Sequence, residues 1–254
     1  MRCHCALRNL GFRRIVAAIL PSVFLASVSL APPLCARAGE KSKIPAVRWD
    51  EQTPGCTFSR SDDGKFHYGL WSGDIGITAS VDSQELEKVH HRREPFFSVL
   101  LDIRYRGSST LEFESATITL EFIQHFQVVQ PALDPDDFVT KIQADADTLD
   151  HETAREIEKH PEQKDAKQAY VRTFQKESNE LIEFVSKNTL RPAHLGPSNA
   201  EIGGWVLFST SSKWIGRWKK QEEFILRIPI EGKVFEFPLK LPPKPVDVLL
   251  RKRE

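Results

Sequence analysis

The sequence predicts a mainly β protein, an immunoglobulin-like antiparallel β-sandwich carrying an inserted antiparallel helical hairpin. Three observations predict it. Short runs with period-two apolar alternation fill positions 56–133 and 192–245, as strands with one buried face do. Residues 134–191 between them hold no glycine and many good helix formers. Pro161 divides that helical stretch near its centre.

The first 38 residues read as a cleavable signal peptide. Arg2, Arg8, Arg13 and Arg14 precede an apolar run from Ile15 to Leu30, and Ala36-Arg37-Ala38 supplies small residues at the −3 and −1 positions. An uncleaved anchor is the competing reading. The run is short of the roughly 20 residues that a bilayer span needs, and Pro21 interrupts it. Cys35 follows Pro32-Pro33-Leu34, which lacks the small residues of a lipid-attachment site. The expected compartment is therefore periplasmic or extracellular, with no transmembrane segment after cleavage.

Cleavage would leave a chain with a sign. Five of the 35 basic residues and none of the 35 acids lie before Gly39, so 30 bases face 35 acids beyond it. A net acidic balance excludes the basic footprint of a nucleic-acid binder. Three of the four cysteines also lie in the leader, and Cys56 is left alone. It is expected as a small core residue, without an intramolecular disulfide.

Residues 39–55 are expected as a lead-in segment. The first strands flank Arg60-Ser61-Asp62-Asp63-Gly64, where Asp-Gly marks a hairpin turn. Ile75, Ile77, Ala79 and Val81 alternate with polar or small residues, and Phe97, Val99, Leu101, Ile103 and Tyr105 alternate with Ser98, Leu100, Asp102, Arg104 and Arg106. Leu111 and Phe113 follow a Gly-Ser-Ser turn, then Ile118, Leu120 and Phe122 alternate. The pattern slips at Ile123 and resumes at Phe126, Val128 and Val129, which predicts a bulge or a change of sheet.

Asp134-Pro135-Asp136-Asp137 is an acid-rich helix start. Phe138, Ile142, Ala146, Leu149 and Ile157 form one apolar stripe, and Ala166, Tyr170, Phe174, Leu181 and Val185 form a second. A reversal at Pro161 sets the two stripes opposite each other, Phe138 near Phe184 and Ile142 near Leu181. A single helix kinked at Pro161 is the alternative. Residues 134–191 hold 14 acids and nine bases, so they carry the whole negative balance expected after cleavage.

The last strands are Ile202–Phe208, a run around Phe224, Leu226, Ile228 and Ile230, and, after a Glu231-Gly232 turn, a run around Phe235, Phe237 and Leu239. Trp205 and Leu207 share one face. Pro229 and Pro238 point to strands at or near sheet edges. Residues 246–254 read as a basic tail. The same strand pattern also fits a partly open β-barrel.

Chemistry-bearing motifs are sparse. His151-Glu152-Thr153-Ala154-Arg155 begins like a zinc-protease helix, but Arg155 stands where the second histidine belongs. Asp147, Asp150 and His151 read as surface residues of a charged helix. His90-His91-Arg92-Arg93 reads as a solvated loop whose arginines repel a cation. His67, His125 and His194 are scattered along the chain. No nucleophile elbow and no glycine-rich phosphate loop occurs in the sequence. The expectation is no cofactor, no metal site and no catalytic residues.

The segment that best suits partner binding is the loop Ser211–Lys220, where Lys213, Trp214, Arg217 and Trp218 combine aromatic and basic side chains. The sequence thus points to a non-enzymatic binding or scaffold module of the cell envelope, with an envelope protein or a glycan as partner. A structural oligomer joined through the hairpin, or a hydrolase or carbohydrate-active enzyme whose site comes from distant residues, is the alternative. N-terminal sequencing of the exported protein is expected to begin at Gly39; a chain that retains the leader would establish an anchor instead.

Overall fold

A computed structural model describes residues 44–124, 128–210 and 221–244, with His90 described by its backbone alone. Residues 1–43, 125–127, 211–220 and 245–254 lie outside the described residues, and with them the expected leader, the aromatic-basic loop and the basic tail. In chain order the strands before the helical insertion are β1 (Ala46–Arg48), β2 (Cys56–Arg60), β3 (Lys65–Ser72), β4 (Ile75–Asp82), β5 (Phe96–Tyr105), β6 (Leu111–Phe113), β7 (Thr119–Phe122) and β8 (Val128–Pro131). Those after it are β9 (Ala193–Leu195), β10 (Glu201–Ser209), β11 (Glu222–Ile230) and β12 (Lys233–Leu241). The helices are α1 (Glu85–His91), α2 (Pro135–Lys159) and α3 (Lys164–Asn188).

The protein is mostly β, with a helical hairpin of two long helices. One five-stranded sheet has the order β1-β12-β11-β7-β8, and another runs β10-β5-β4-β3-β2. A ribbon of β6 and β9 forms a third, two-stranded sheet. Among the described strands all pairings are antiparallel except that of β1, which runs parallel to β12. Turn chemistry sets two of the hairpins. Gly64 has φ +84° between β2 and β3. Glu231 and Gly232 have φ 53° and 71° between β11 and β12, as a two-residue turn matched to strand twist requires.

Alternation decides which side chains are buried. Phe97, Val99, Leu101 and Ile103 of β5 join Phe224, Leu226 and Ile228 of β11 and Phe235, Phe237 and Leu239 of β12 in one core cluster. Phe97 and Phe224, from different five-stranded sheets, pack with ring centroids 5.1 Å apart. The core is thus shared between the sheets, and the hydrophobic effect holds them together.

Several elements differ from the sequence reading. Ala46–Arg48, inside the lead-in segment, forms β1, and Trp49 donates its ring N–H to the Thr57 carbonyl at 3.0 Å. The stretch that includes His91 is helical, because Leu86 and Val89 anchor α1 in the main core. The slip at Ile123 is a chain reversal: β8 pairs back on β7, with Phe122 opposite Val128 and Thr119 opposite Pro131. Pro229 and Pro238 lie on interior strands, β11 and β12. Each falls just past a short neighbour, since β7 reaches only Arg227 and β1 only Glu236. The missing N–H groups therefore leave no ladder bond unmade.

Strand β10 connects the β body to the helices. Val206 and Phe208 point into the shared core. Leu207 and the half-buried Trp205, on the opposite face, pack with Phe96 of β5, Phe138 and Ile142 of α2, and Val185 of α3. The chain also bonds to β10 on both sides of the insertion. Leu133 N–H reaches the Leu207 carbonyl at 2.8 Å, and Leu190 N–H reaches that of Trp205 at 2.9 Å. The hairpin thus leaves and rejoins one sheet edge, and covers it.

Close approach at that edge depends on Gly204. A Cβ there would lie 2.6 Å from Leu190 N and 2.8 Å from its Cα, well inside contact distance. Gly204→Ala is expected to lower stability by about 1–3 kcal/mol, as overpacking against backbone does. Denaturant unfolding would measure it, and an unchanged midpoint would show that the segment after α3 is not held against β10.

Candidate functional site

The helical hairpin is the most distinctive surface of the molecule, and its construction is local. Asp134 caps α2 by accepting from the N–H groups of Asp136 at 2.9 Å and Asp137 at 3.0 Å. Pro135 occupies the first turn, and Asp136 and Asp137 set negative charge against the helix N-terminus. Helix α2 stops at Lys159, and Pro161 opens a short 3₁₀ turn that leads into α3. The proline therefore ends one helix and starts a reversal, which rules out a single kinked helix. Each helix has 25 residues, roughly 37 Å at 1.5 Å per residue.

Polar clasps hold the base and the middle of the hairpin. Arg191 makes a two-pronged pair with Asp136 at 2.9 and 3.1 Å. The hydrogen bond from Arg191 holds the Asp136 carboxyl below the usual range, and the guanidinium charge adds to it. Lys141 donates to Glu94 at 2.6 Å, and that bond raises the Lys141 ammonium above its ordinary value. Arg93 stacks on Phe174 and donates to its carbonyl and to Glu177, each at 3.2 Å. Near the tip Glu156 pairs with Lys167, whose hydrogen bond lowers the Glu156 carboxyl. These pairs are largely exposed, so each adds little stability, but together they fix where the loop before β5 meets the helices.

The interhelix seam weakens from base to tip. Near the base Phe138, Ile142, Leu181, Phe184 and Val185 share one cluster with Trp205 and Leu207. Further out the buried residues are Ala146, Thr153, Val171 and Ser178. Among the described residues the buried Ser178 hydroxyl has no hydrogen-bond partner. The expected second stripe is corrected in this outer half: Tyr170 is 59% exposed and Ala166 is exposed, while Val171 is buried. A strict four-residue spacing drifts about 40° per step around a helix. The true seam alternates three and four residues through Lys167, Val171, Phe174, Ser178, Leu181 and Val185.

On one side of the outer seam lies a shallow groove. Asp150, Thr153, Ala154 and Ile157 line it from α2, and Gln168, Val171, Arg172 and Gln175 from α3. Both sets have the spacing i, i+3, i+4, i+7, the geometry that receives a further helix.

The other sequence candidates are dispersed. Lys213, Trp214, Arg217 and Trp218 lie outside the described residues, as does His125. The flanks of that loop are placed: Thr210 N–H bonds the Pro95 carbonyl at 3.1 Å, and the Gln221 amide donates to the Pro242 carbonyl at 3.0 Å. Asp147, Asp150 and His151 lie on α2, with Asp147 and His151 exposed and Asp150 at the groove wall. Arg92 belongs to a buried staple, in which Glu85, 2% exposed, accepts from it at 2.5 and 3.0 Å and from Ser98 N and Oγ at 2.6 and 2.8 Å. His67 sits between the Ser80 hydroxyl at 2.7 Å and the Ser61 hydroxyl at 3.1 Å. His194 is exposed on β9, and Cys56 is half-buried and free. Among the described residues no group of three His, Cys, Asp or Glu side chains is placed to hold a metal ion. No described helix is long and apolar enough to cross a membrane.

The chain matches no family model, and no curated protein or solved structure shows significant similarity to it.

One carboxylate that the sequence reading passed over stands on the outer face of the second sheet. Asp102 of β5 lies over β10, where a Cβ on Gly203 would come 2.6 Å from its Oδ1. Burial raises its pKa above the ordinary aspartate value, and Glu201 adds to the rise against the pull of Arg104 and His67. A raised carboxyl makes its charged form costly in the folded state. The cost is absent below the ordinary aspartate range and complete above the raised value. Asp102→Asn is expected to raise stability at neutral pH by less than about 1 kcal/mol, since solvent screens a half-exposed group. The gain should vanish as pH falls through the ordinary aspartate range, and thermal melts of both proteins across pH would show it; a pH-independent difference would contradict the assignment.

Proposed function

We propose that the chain is exported and acts as a non-enzymatic binding or scaffold module of the cell envelope, with the helical hairpin as its recognition arm. In this reading the β body is an immunoglobulin-like sandwich, supported by the single core that its two five-stranded sheets share. The parallel β1 on β12 is an addition to that plan.

The observation that carries the reading is the outer half of the hairpin. Burial of Phe138, Ile142 and Val185 under β10 accounts for the base. It does not account for the turns beyond, whose seam buries only small or polar residues and Val171. Most helix stability in proteins comes from packing of an apolar face rather than from propensity, and the turns beyond the anchored base have little of it, so in this reading their length serves presentation. The outer groove supplies a surface, and the strongly acidic α2 supplies a charge pattern for it. The loop with Lys213, Trp214, Arg217 and Trp218 is a second proposed contact, to an envelope protein or a glycan.

The test shortens the arm and leaves its base. Replacing residues 147–177 by a short Gly-Asn turn keeps Phe138, Ile142, Leu181 and Val185 in place. The shortened protein is expected to unfold cooperatively yet fail to recover the envelope partners that wild type captures by affinity purification. Equal recovery would overturn the arm. The same assay on Trp214→Ala/Trp218→Ala reads the loop separately, and undiminished recovery would remove it from the binding surface.

A further inference from the structure

We infer that the outer groove of the hairpin is a self-association surface, occupied by the same groove of a second copy of this chain. The inference rests on the reading of the hairpin as a binding arm and names what the arm binds. The groove's two walls carry opposite charge. On α2, Asp150 lines the groove and Asp147 and Glu158 stand beside it, with no lysine or arginine among the residues that line that wall. On α3, Arg172 lines it and Lys176 stands beside it, with Asp165 nearer the tip. The floor is Thr153, Ala154, Ile157 and Val171, short or aliphatic side chains without charge that a second helix pair can cover.

A foreign helix of uniform charge would meet attraction on one wall and repulsion on the other. A second copy turned by a two-fold axis along the helices meets attraction on both walls at the level of Asp150 and Asp147, and only nearer the tip does Glu158 fall beside Asp165 of the other copy. That operation sets α2 of one copy on α3 of the other and keeps each residue at its own height. Asp150 opposes Arg172 across the groove within one hairpin, so in the pair it faces Arg172 of the second copy. Asp147 falls level with Lys176 in the same way. The other in-plane two-fold axis, across the helices, would stack the acidic wall of α2 on itself. Charge therefore selects both the partner and the orientation, as flanking charges do in coiled coils. The interface is isologous, so each contact occurs twice.

Sedimentation velocity of the purified protein over a wide concentration range should show a monomer–dimer equilibrium. Asp150→Arg and Arg172→Asp are each expected to weaken the dimer about tenfold or more, by placing like charges opposite one another twice. The two variants mixed together should form a heterodimer. In it the introduced arginine of the first variant faces the introduced aspartate of the second, and the unchanged Arg172 of the first faces the unchanged Asp150 of the second. Recovery on mixing also shows that both variants are folded, and helicity by circular dichroism checks this directly. A wild-type protein that stays monomeric at every concentration overturns the inference, as does a dimer insensitive to both substitutions. If that monomer still captures an envelope partner through the outer hairpin, the arm stands and the second copy is excluded. If it captures none, both readings fall.

Discussion

The seat of the hairpin depends on β10 being apolar on both faces, with Phe96 of the neighbouring β5 beside it. Most strands here bury one side and leave the other to solvent. On β10, Val206 and Phe208 belong to the core that joins the two large sheets, while Leu207 and the half-buried Trp205 belong to a second cluster beneath the helices. Fully burying a side chain such as Leu207 is worth about 1.5–3 kcal/mol. The hairpin is thereby fastened by hydrophobic burial at its base, and its exposed ion pairs only trim the position. Two backbone bonds to the same strand, from Leu133 and Leu190, fix where the chain departs and returns. A polar substitution at Leu207 would lose the cover of the sheet face and the seat of the helices together.

The short helix α1 extends the same logic to the neighbouring strand. Glu85 is a buried carboxylate, 2% exposed, and such a group is tolerable only when its lone pairs are satisfied. Arg92, Ser98 N and Ser98 Oγ supply the partners. Arg92 also donates to the Phe96 carbonyl at 2.6 Å and stacks on the Phe96 ring, which in turn packs edge-on against Phe138 of α2. A buried pair of this kind adds little net stability compared with an apolar substitute, yet removing one partner is costly. Its consequence here is positional. It sets the start of β5, and through Phe96 and the following Arg93 and Glu94 contacts it sets the place where the hairpin meets the β body.

The pattern of legibility follows from what period and turn chemistry can encode. Phe97 to Tyr105 alternates without interruption, and all five inward residues are buried. Asp-Gly and Glu-Gly steps turn where their backbone preferences say, and Asp134-Pro135 starts a helix for the same local reasons. Long-range facts were less visible. Trp205 and Leu207 are plainly on one face, but nothing in the strand says that this face belongs under helices. Helix α1 spans seven residues and contributes only Leu86 and Val89 to the core, too few to show a period. Pro229 and Pro238 carry a true local message about missing ladder bonds, but the strands that end beside them are known only from the pairing. In the candidate site, the acidic character of α2 and the reversal at Pro161 could be read directly. The choice of Val171 over Tyr170 could not, because it turns on a phase difference of one residue that only the opposing helix decides.

The hairpin also has a built-in gradient of stability. Opening a segment costs what its contacts supply, and those contacts thin steadily outward from β10. At the base, aromatic and aliphatic side chains interlock. At the level of Ala146 and Ser178 the seam narrows to small side chains and an unsatisfied hydroxyl. Beyond them Thr153 and Val171 are buried, Leu149, Ile157 and Phe174 only half-buried, and the Glu156–Lys167 pair closes the tip. Fixing each residue's backbone costs about 1–2 kcal/mol of entropy, which intrahelical hydrogen bonds and a sparse seam barely offset. The outer turns therefore have stability to gain from being covered. Any body that adds apolar contact along Ala154, Ile157 and Val171 orders those turns as it binds, so association and helix stability are coupled in the same few residues. For the proposed partner, that coupling sets the contact at the far end of the arm, away from the cluster under β10 that seats the base.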